Sequence, residues 1–324
     1  MQGILEPSSF REYQFQRLPQ KYKDHIREEV WHLSENSAGV SLSFSSNTST
    51  LFIRWTLKNH FNMHHMTDVG VNGLDIYWKK NNEWHFISAG IPTDLKNETY
   101  LFKGLPKELR HYRINFPLYN TLTDLELGFD SNSCIEIINE NGSPLIFYGT
   151  SITQGGCASR PGLAYTNIIS RKLNKNCINL GFSGNGHLEI SIAHVLSKIS
   201  DAILIIDCMW NIDKEMVIEN TQPFLNVLQS KNFKSPVVFH EQYLSNLNHP
   251  DKKFIQSVIM KNMALKKQIK NEIKKGFKNL YLIEQDRCIH KDTEATVDGI
   301  HFNDLGFERF SEHLINKLRE IQLI

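Results

Sequence analysis

The spacing of apolar residues changes once along the chain, near residue 141, and this change limits the fold more than any other feature. Before it, short segments have a strand-like period. VSLSFSS (40–46) alternates apolar and polar residues, and TLFIRWTL (50–57) is rich in β-branched and aromatic ones. GLDIYWKK (73–80) and EWHFISAG (83–90) flank Asn81-Asn82, a pair suited to a tight hairpin turn. RHYRINFPL (110–118), TDLELGF (123–129) and CIEIIN (134–139) continue the series. Many short strands with turn signals between them predict an all-β sandwich or jelly roll over residues 1–141.

Asn141-Gly142-Ser143-Pro144 marks the boundary. Five apolar runs follow it: LIFYG (145–149), CINLGF (177–182), AILIIDCMW (202–210), PVVFHE (236–241) and LYLIEQ (280–285). Continuous apolarity suits strands covered on both faces. Helical patterns separate them. One opens at Pro161 with Ala164, Ile168, Ile169 and Leu173 on its apolar face; others cover 254–275 and 304–323. The alternation predicts an α/β domain over residues 142–324, a five-stranded parallel sheet between two helical layers. In such sheets working groups collect past the carboxyl ends of the strands.

Four segments fall there. Gly149-Thr150-Ser151-Ile152-Thr153 follows the first run. A serine at a strand-to-helix turn can be held as a nucleophile, or can simply cap the helix. Asn179 to Gly186 carries three glycines, whose backbone N–H groups could face an oxyanion; a plain tight loop is the other reading. Asn211, just past the third run, could donate from its side chain or merely shape a turn. Asp298-Gly299-Ile300-His301 precedes the last helix and offers a base with a carboxylate to orient it. Singly each has an ordinary structural explanation. Together, in order along one sheet edge, they point to acyl transfer through a serine.

The bulk properties exclude other classes. A net charge of +1 over 324 residues gives no field for nucleic acid or an anionic membrane. Lys274-Lys275 sits in a mixed-charge helix, as a solvated face does. The five cysteines, at 134, 157, 177, 208 and 288, form no CxxC pair, and Cys177 and Cys208 lie in apolar runs. His64 and His65 are too few for a metal, so neither metal nor cofactor is expected. The N-terminus has no apolar core after a basic start, so a cytoplasmic protein is expected, or a secreted one if a leader has been trimmed. Asn47 and Asn97 match glycosylation triplets that then carry no weight.

The four blocks resemble those of SGNH/GDSL hydrolases over roughly residues 144–310. The resemblance implies Ser151 as nucleophile, His301 as base and Asp298 as its partner. It implies an oxyanion hole from Ser151, Gly184 and Asn211. The serine block reads Gly-Thr-Ser rather than Gly-Asp-Ser, and Met209 and Ile212 flank Asn211 where glycine and aspartate are usual. Gly73-Leu74-Asp75-Ile76-Tyr77 is similar to the GxDLY motif of a β-rich domain that precedes one SGNH subgroup. That subgroup implies a flavodoxin-like catalytic layer and a bacterial esterase or acetylhydrolase, with an O-acetyl ester on a carbohydrate as substrate class. The alternatives are a non-catalytic carbohydrate-binding protein and a lipase or thioesterase for longer chains. Arg160 and Tyr77 are candidate substrate-binding residues, against the alternatives of a surface charge and sandwich core; Trp78 and Trp84 could likewise stack on a sugar.

Overall fold

The computed structural model describes every residue except 140, 141, 232, 245–248, 287, 288, 290 and 291. Asn141 and Cys288 thus lie outside the described residues. Two antiparallel sheets come from the first half. Their strands are β1 (Ser41–Ser46), β2 (Leu51–Leu57), β3 (Leu74–Lys80), β4 (Glu83–Gly90), β5 (Lys96–Phe102), β6 (Arg110–Asn115), β7 (Leu122–Phe129) and β8 (Ile135–Ile137). One sheet has the order β4-β3-β6-β1-β8, the other β5-β2-β7. Phe44, Ile53, Trp55, Ile76, Tyr112 and Ile114 fill the space between them. Asn81 and Asn82 take φ of 49° and 68°, the left-handed pair that a two-residue hairpin turn needs.

The second half forms one parallel sheet from β9 (Leu145–Gly149), β10 (Cys177–Gly181), β11 (Ile203–Asp207), β12 (Val237–His240) and β13 (Leu280–Ile283), in the order β10-β9-β11-β12-β13. The continuous apolar runs now have their explanation. Leu145, Phe147, Ile203, Ile205 and Val238 face one core. Ile146, Tyr148, Leu204, Ile206 and Phe239 face the other. Neighbours point to opposite sides, and helices cover both.

Helices α1 (Glu28–Glu35) and α2 (Asp68–Asn72) lie in the first half; α3 (Ser151–Gln154), α4 (Tyr165–Leu173), α5 (Ile190–Leu196), α6 (Lys214–Ser230), α7 (Lys252–Lys274) and α8 (Asp304–Glu320) in the second. Phe307, Phe310 and Leu314 of α8 pack with Ile168 and Ile169 of α4 on one face of the sheet. Val217 and Phe224 of α6 and Leu265 of α7 cover the other. No helix among the described residues is long and apolar enough to cross a membrane.

The first 35 residues do not simply extend the sandwich. Leu5, Leu18, Tyr22, Val30 and Trp31 are buried in the same core as Ile146, Leu180 and Phe224. A second fastening lies in the GLDIY segment. Asp75 is fully buried, and its Oδ2 accepts from Arg160 Nη1 and the Gly162 N–H, each at 2.8 Å, while Oδ1 accepts from Asn115 at 2.8 Å. Arg160 also donates to the Tyr77 hydroxyl and lies over the Phe86 ring at 3.9 Å. Arg160 and Tyr77 thus help tie the two halves together, and both also line a cleft of about 680 Å³ with Trp84 and Phe86.

Removing one partner of a buried ion pair strands the other, at a cost of about 3–5 kcal/mol. Asp75→Ala should lower the unfolding free energy by about that much in urea titrations. A loss below about 1 kcal/mol, the value of a surface pair, would show that the junction does not depend on it.

Candidate active site

Strand register brings three chain segments to one row. Gly149 ends β9 opposite Gly181 of β10 on one side and Asp207 of β11 on the other. Every candidate in the first three blocks lies within five residues of this row. Close approach demands glycine here: a Cβ on Gly149 would lie 2.0 Å from Thr153 Oγ1, and one on Gly181 2.1 Å from the Gln154 nitrogen.

Thr150, not Ser151, caps α3. Its side chain accepts from the Ile152 N–H, and the Thr153 hydroxyl accepts from the Thr150 N–H to close a capping box. The threonine that stands where aspartate is usual therefore does an aspartate's capping work. Ser151 is left free as the first helical residue. Its carbonyl accepts from the N–H groups of Gly155 at 3.0 Å and Gly156 at 2.7 Å, and from the Tyr119 hydroxyl at 3.3 Å. Its own Oγ lies 2.8 Å from His301 Nε2.

His301 and Asp298 share one tight turn. The Val297 N–H donates to the His301 carbonyl at 2.8 Å, and Gly299 takes a φ of 88°. Asp298 Oδ1 accepts from the N–H groups of Ile300 at 3.0 Å and His301 at 2.8 Å, while Oδ2 accepts from His301 Nδ1 at 2.7 Å. Partial burial opposes its charge, but these hydrogen bonds, from the imidazole foremost, outweigh it and hold the carboxyl below its usual range. An ionised carboxylate only accepts, so the Nδ1 proton is fixed and Nε2 faces the serine hydroxyl with a lone pair.

The other two blocks form the adjoining rim. Gly184 takes a φ of 70° in the loop after β10. The Gly186 N–H donates to Asn211 Oδ1 at 3.3 Å. An N–H can face only the amide oxygen, so this contact turns the Asn211 NH2 away from the loop.

Several braces carry no motif. Arg17 is fully buried, and its Nη1 donates to the carbonyls of Asn179 at 3.0 Å and Gly181 at 2.7 Å. Burial works against its charge, and two more bonds, to the carbonyls of Asn36 and Leu33, help to offset that. Arg27 reaches Asn185 Oδ1 at 3.0 Å and Glu189 at 2.6 Å. Gln154 accepts from the Ser183 N–H at 3.0 Å. Lys261 of α7 donates to the carbonyls of Met209 at 2.6 Å and Ile212 at 2.8 Å, around Asn211; burial lowers its pKa to about 8. A cleft of about 660 Å³ opens beside the Gly184 loop, lined by Leu33, Phe61, Met63, Tyr119, Ser183 and Asn185.

Residues 142–319 match the family model of the GDSL-like lipase/acylhydrolase family, and residues 2–135 match that of the GxDLY N-terminus of SGNH-type esterases. No curated protein matches the chain. Among solved structures, one described as a GDSL-like lipase from Bacteroides ovatus is 32% identical, with a TM-score of 0.92 over 98% of this chain and 96% of that one. A salicylyl-acyltransferase from a tetracycline biosynthetic pathway has a TM-score of 0.78 at 16% identity, over 100% of this chain and 94% of that one. A family two carbohydrate esterase from Clostridium thermocellum, an active-site mutant in complex with a cellulose oligosaccharide, has a TM-score of 0.65 at 11% identity, over 87% of this chain and 92% of that one. At these two lower identities the likeness is one of fold. The chain belongs to the GDSL-like lipase/acylhydrolase family of ester hydrolases, with the GxDLY domain of SGNH-type esterases in front.

Proposed function

We propose that the chain hydrolyses short-chain acyl esters, with an O-acetyl group on a carbohydrate as the substrate class. The observation that carries this reading is the hydrogen-bonded line from Asp298 through His301 to Ser151, at 2.7 and 2.8 Å. His301 Nε2 takes the hydroxyl proton as Ser151 Oγ attacks the ester carbonyl. Asp298 holds the ring in place and stabilises the imidazolium. The oxyanion is received by the N–H groups of Ser151 and Gly184 and by the Asn211 NH2. His301 then returns the proton to the leaving alcohol, and water repeats the steps on the acyl-enzyme. None of these steps calls on a metal or cofactor, and the site residues are all side chains or amides of this chain.

The acetyl and carbohydrate parts of the reading have narrower support. A likeness of fold to a carbohydrate esterase is one strand, and an acetyl xylan esterase from Butyrivibrio proteoclasticus, at a TM-score of 0.56 and 12% identity, is another. One observation favours a longer acyl chain instead: Leu33, Phe61 and Met63 make one part of the cleft beside the Gly184 loop apolar, although Asn36, Asn59 and Asn120 line it too. The reading of a sugar-binding protein without turnover has the serine–histidine–aspartate geometry against it.

Ser151→Ala should abolish hydrolysis of p-nitrophenyl acetate, and an undiminished rate would overturn the assignment. Asn211→Ala should reduce kcat by about 10²–10³-fold with the melting temperature little changed; an unaltered kcat removes Asn211 from the oxyanion hole. In a series of p-nitrophenyl esters, kcat/KM should peak at acetyl, and acetylated saccharides should release acetate. A peak at long chains would favour the lipase reading.

A further inference from the structure

We propose that His65, Cys157 and His301 form a binding site for a borderline-soft divalent cation such as Zn²⁺, and that filling it switches the enzyme off. One ligand atom from each of these residues lies within 4.8 Å of the others. They come from three separate segments. His65 sits in the turn before α2 in the first half of the chain, Cys157 follows the glycines that end α3, and His301 belongs to the Asp298 turn. The His65 and His301 rings lie 5.5 Å apart, tilted by 50°. The pair His64-His65 alone falls short of a site; folding adds a thiol and a second imidazole that lie 92 and 236 positions further along the chain from His65.

The donor set suits the cation. Imidazole nitrogen and thiolate sulfur are the preferred ligands of Zn²⁺, at about 2.0–2.3 Å in a tetrahedron. That geometry places ligand atoms about 3.5 Å apart. Closing from the observed spacing needs a movement of roughly an ångström, which rotation of the His65 side chain can supply. A fourth position stays open for water. Cys157 has no part in ester hydrolysis, yet it is buried, unpaired in any disulfide, and held at a φ of 74°, rare for a residue other than glycine.

Burial, aided by the Asp298 carboxylate, pushes the Cys157 thiol up to about 12. His65, His301 and Tyr119 also lie close to it. A bound cation takes the thiolate, and the thiol proton passes to solvent. Either nitrogen of His301 that ligates the metal is lost to catalysis, since Nε2 holds Ser151 and Nδ1 holds Asp298. The inhibition rests on the esterase reading above; the binding does not.

The test adds Co²⁺ to the metal-stripped full chain and reads the near-ultraviolet charge-transfer band of a thiolate–cobalt bond. One equivalent should produce the band, and Zn²⁺ should displace it. Loss of even an outer partner of a metal ligand weakens binding about 10–100-fold, so His65→Ala and Cys157→Ser should each raise the apparent Kd by at least that factor. Cys157→Ser should also lose the band. In parallel, Zn²⁺ should inhibit p-nitrophenyl acetate hydrolysis, chelator should restore it, and each variant, scaled to its own metal-free rate, should need about 10-fold more Zn²⁺ or beyond. Absence of the band, or Zn²⁺ sensitivity in both variants equal to that of the unmodified protein, overturns the site. A band that responds to both variants in a protein without esterase turnover would keep the metal site and sink the esterase reading.

Discussion

The site depends on how closely three parallel strand ends can approach one another. Gly149, Gly181 and Asp207 stand in one row. The short helix α3 folds straight back over that row, so near that a single methyl at Gly149 or Gly181 would overlap it. The proximity is then used twice. Thr153 donates its hydroxyl proton to the buried Asp207 carboxylate, and Gln154 links the Leu118 carbonyl to the Ser183 N–H. A serine on so short a helix has little freedom to drift, because both of its sides are bonded to strands that cannot move apart without opening the sheet.

The first half of the chain acts as a brace on the second. Arg17 and Arg27 reach the ends of the segment between β10 and α5 and hold it through carbonyls and the Asn185 amide. Asp75 and Tyr77 fix Arg160 behind the serine helix. Hydrogen bonds to a charged donor are worth about 1.5–3 kcal/mol each when desolvated, so these few residues rival a sizeable apolar contact in holding the halves together. The side of the Gly184 loop that faces the cleft is therefore shaped by residues from both halves.

Much of this was legible in the sequence, and the reasons for the rest are physical. The parallel strands announced themselves because most of their residues are buried on both faces, leaving few polar residues, such as Asn179 and Asp207, to interrupt the runs. Asp298 and His301 were readable because both fall in one local turn. Ser151 was ambiguous until Thr150 proved to be the cap. Strand β5 (KNETYLF) went unread because the charged Lys96 and Glu98 flank a buried Asn97 where an apolar residue would mark the strand, and its pairing with β2 supplies the order that its composition does not. Helix α6 carries Pro223 inside it, which reads as a break until tertiary packing of Phe224 and Leu225 overrides it. Arg17 and Lys261 could not be found at all, because each serves backbone carbonyls and a carbonyl leaves no mark in a sequence; Arg27 stayed hidden because its side-chain partners lie more than 150 positions away. The place of Arg160 and Tyr77 at the junction was hidden because their partners lie 83 or more positions away.

The placement of the first 35 residues bears on how the protein comes into being. The nearest acceptor on the parallel sheet for Arg17 lies 162 positions downstream. At translation rates of about 5–20 residues per second, that partner appears on the order of ten seconds or more after the arginine. Through that interval Leu18, Tyr22 and Trp31 have no sheet to cover. The opposite face of the same sheet waits longer still, for α8. A nascent chain of this design must keep its earliest apolar residues out of trouble until nearly its latest ones arrive, so the demand for chaperoning is written into the order of its segments.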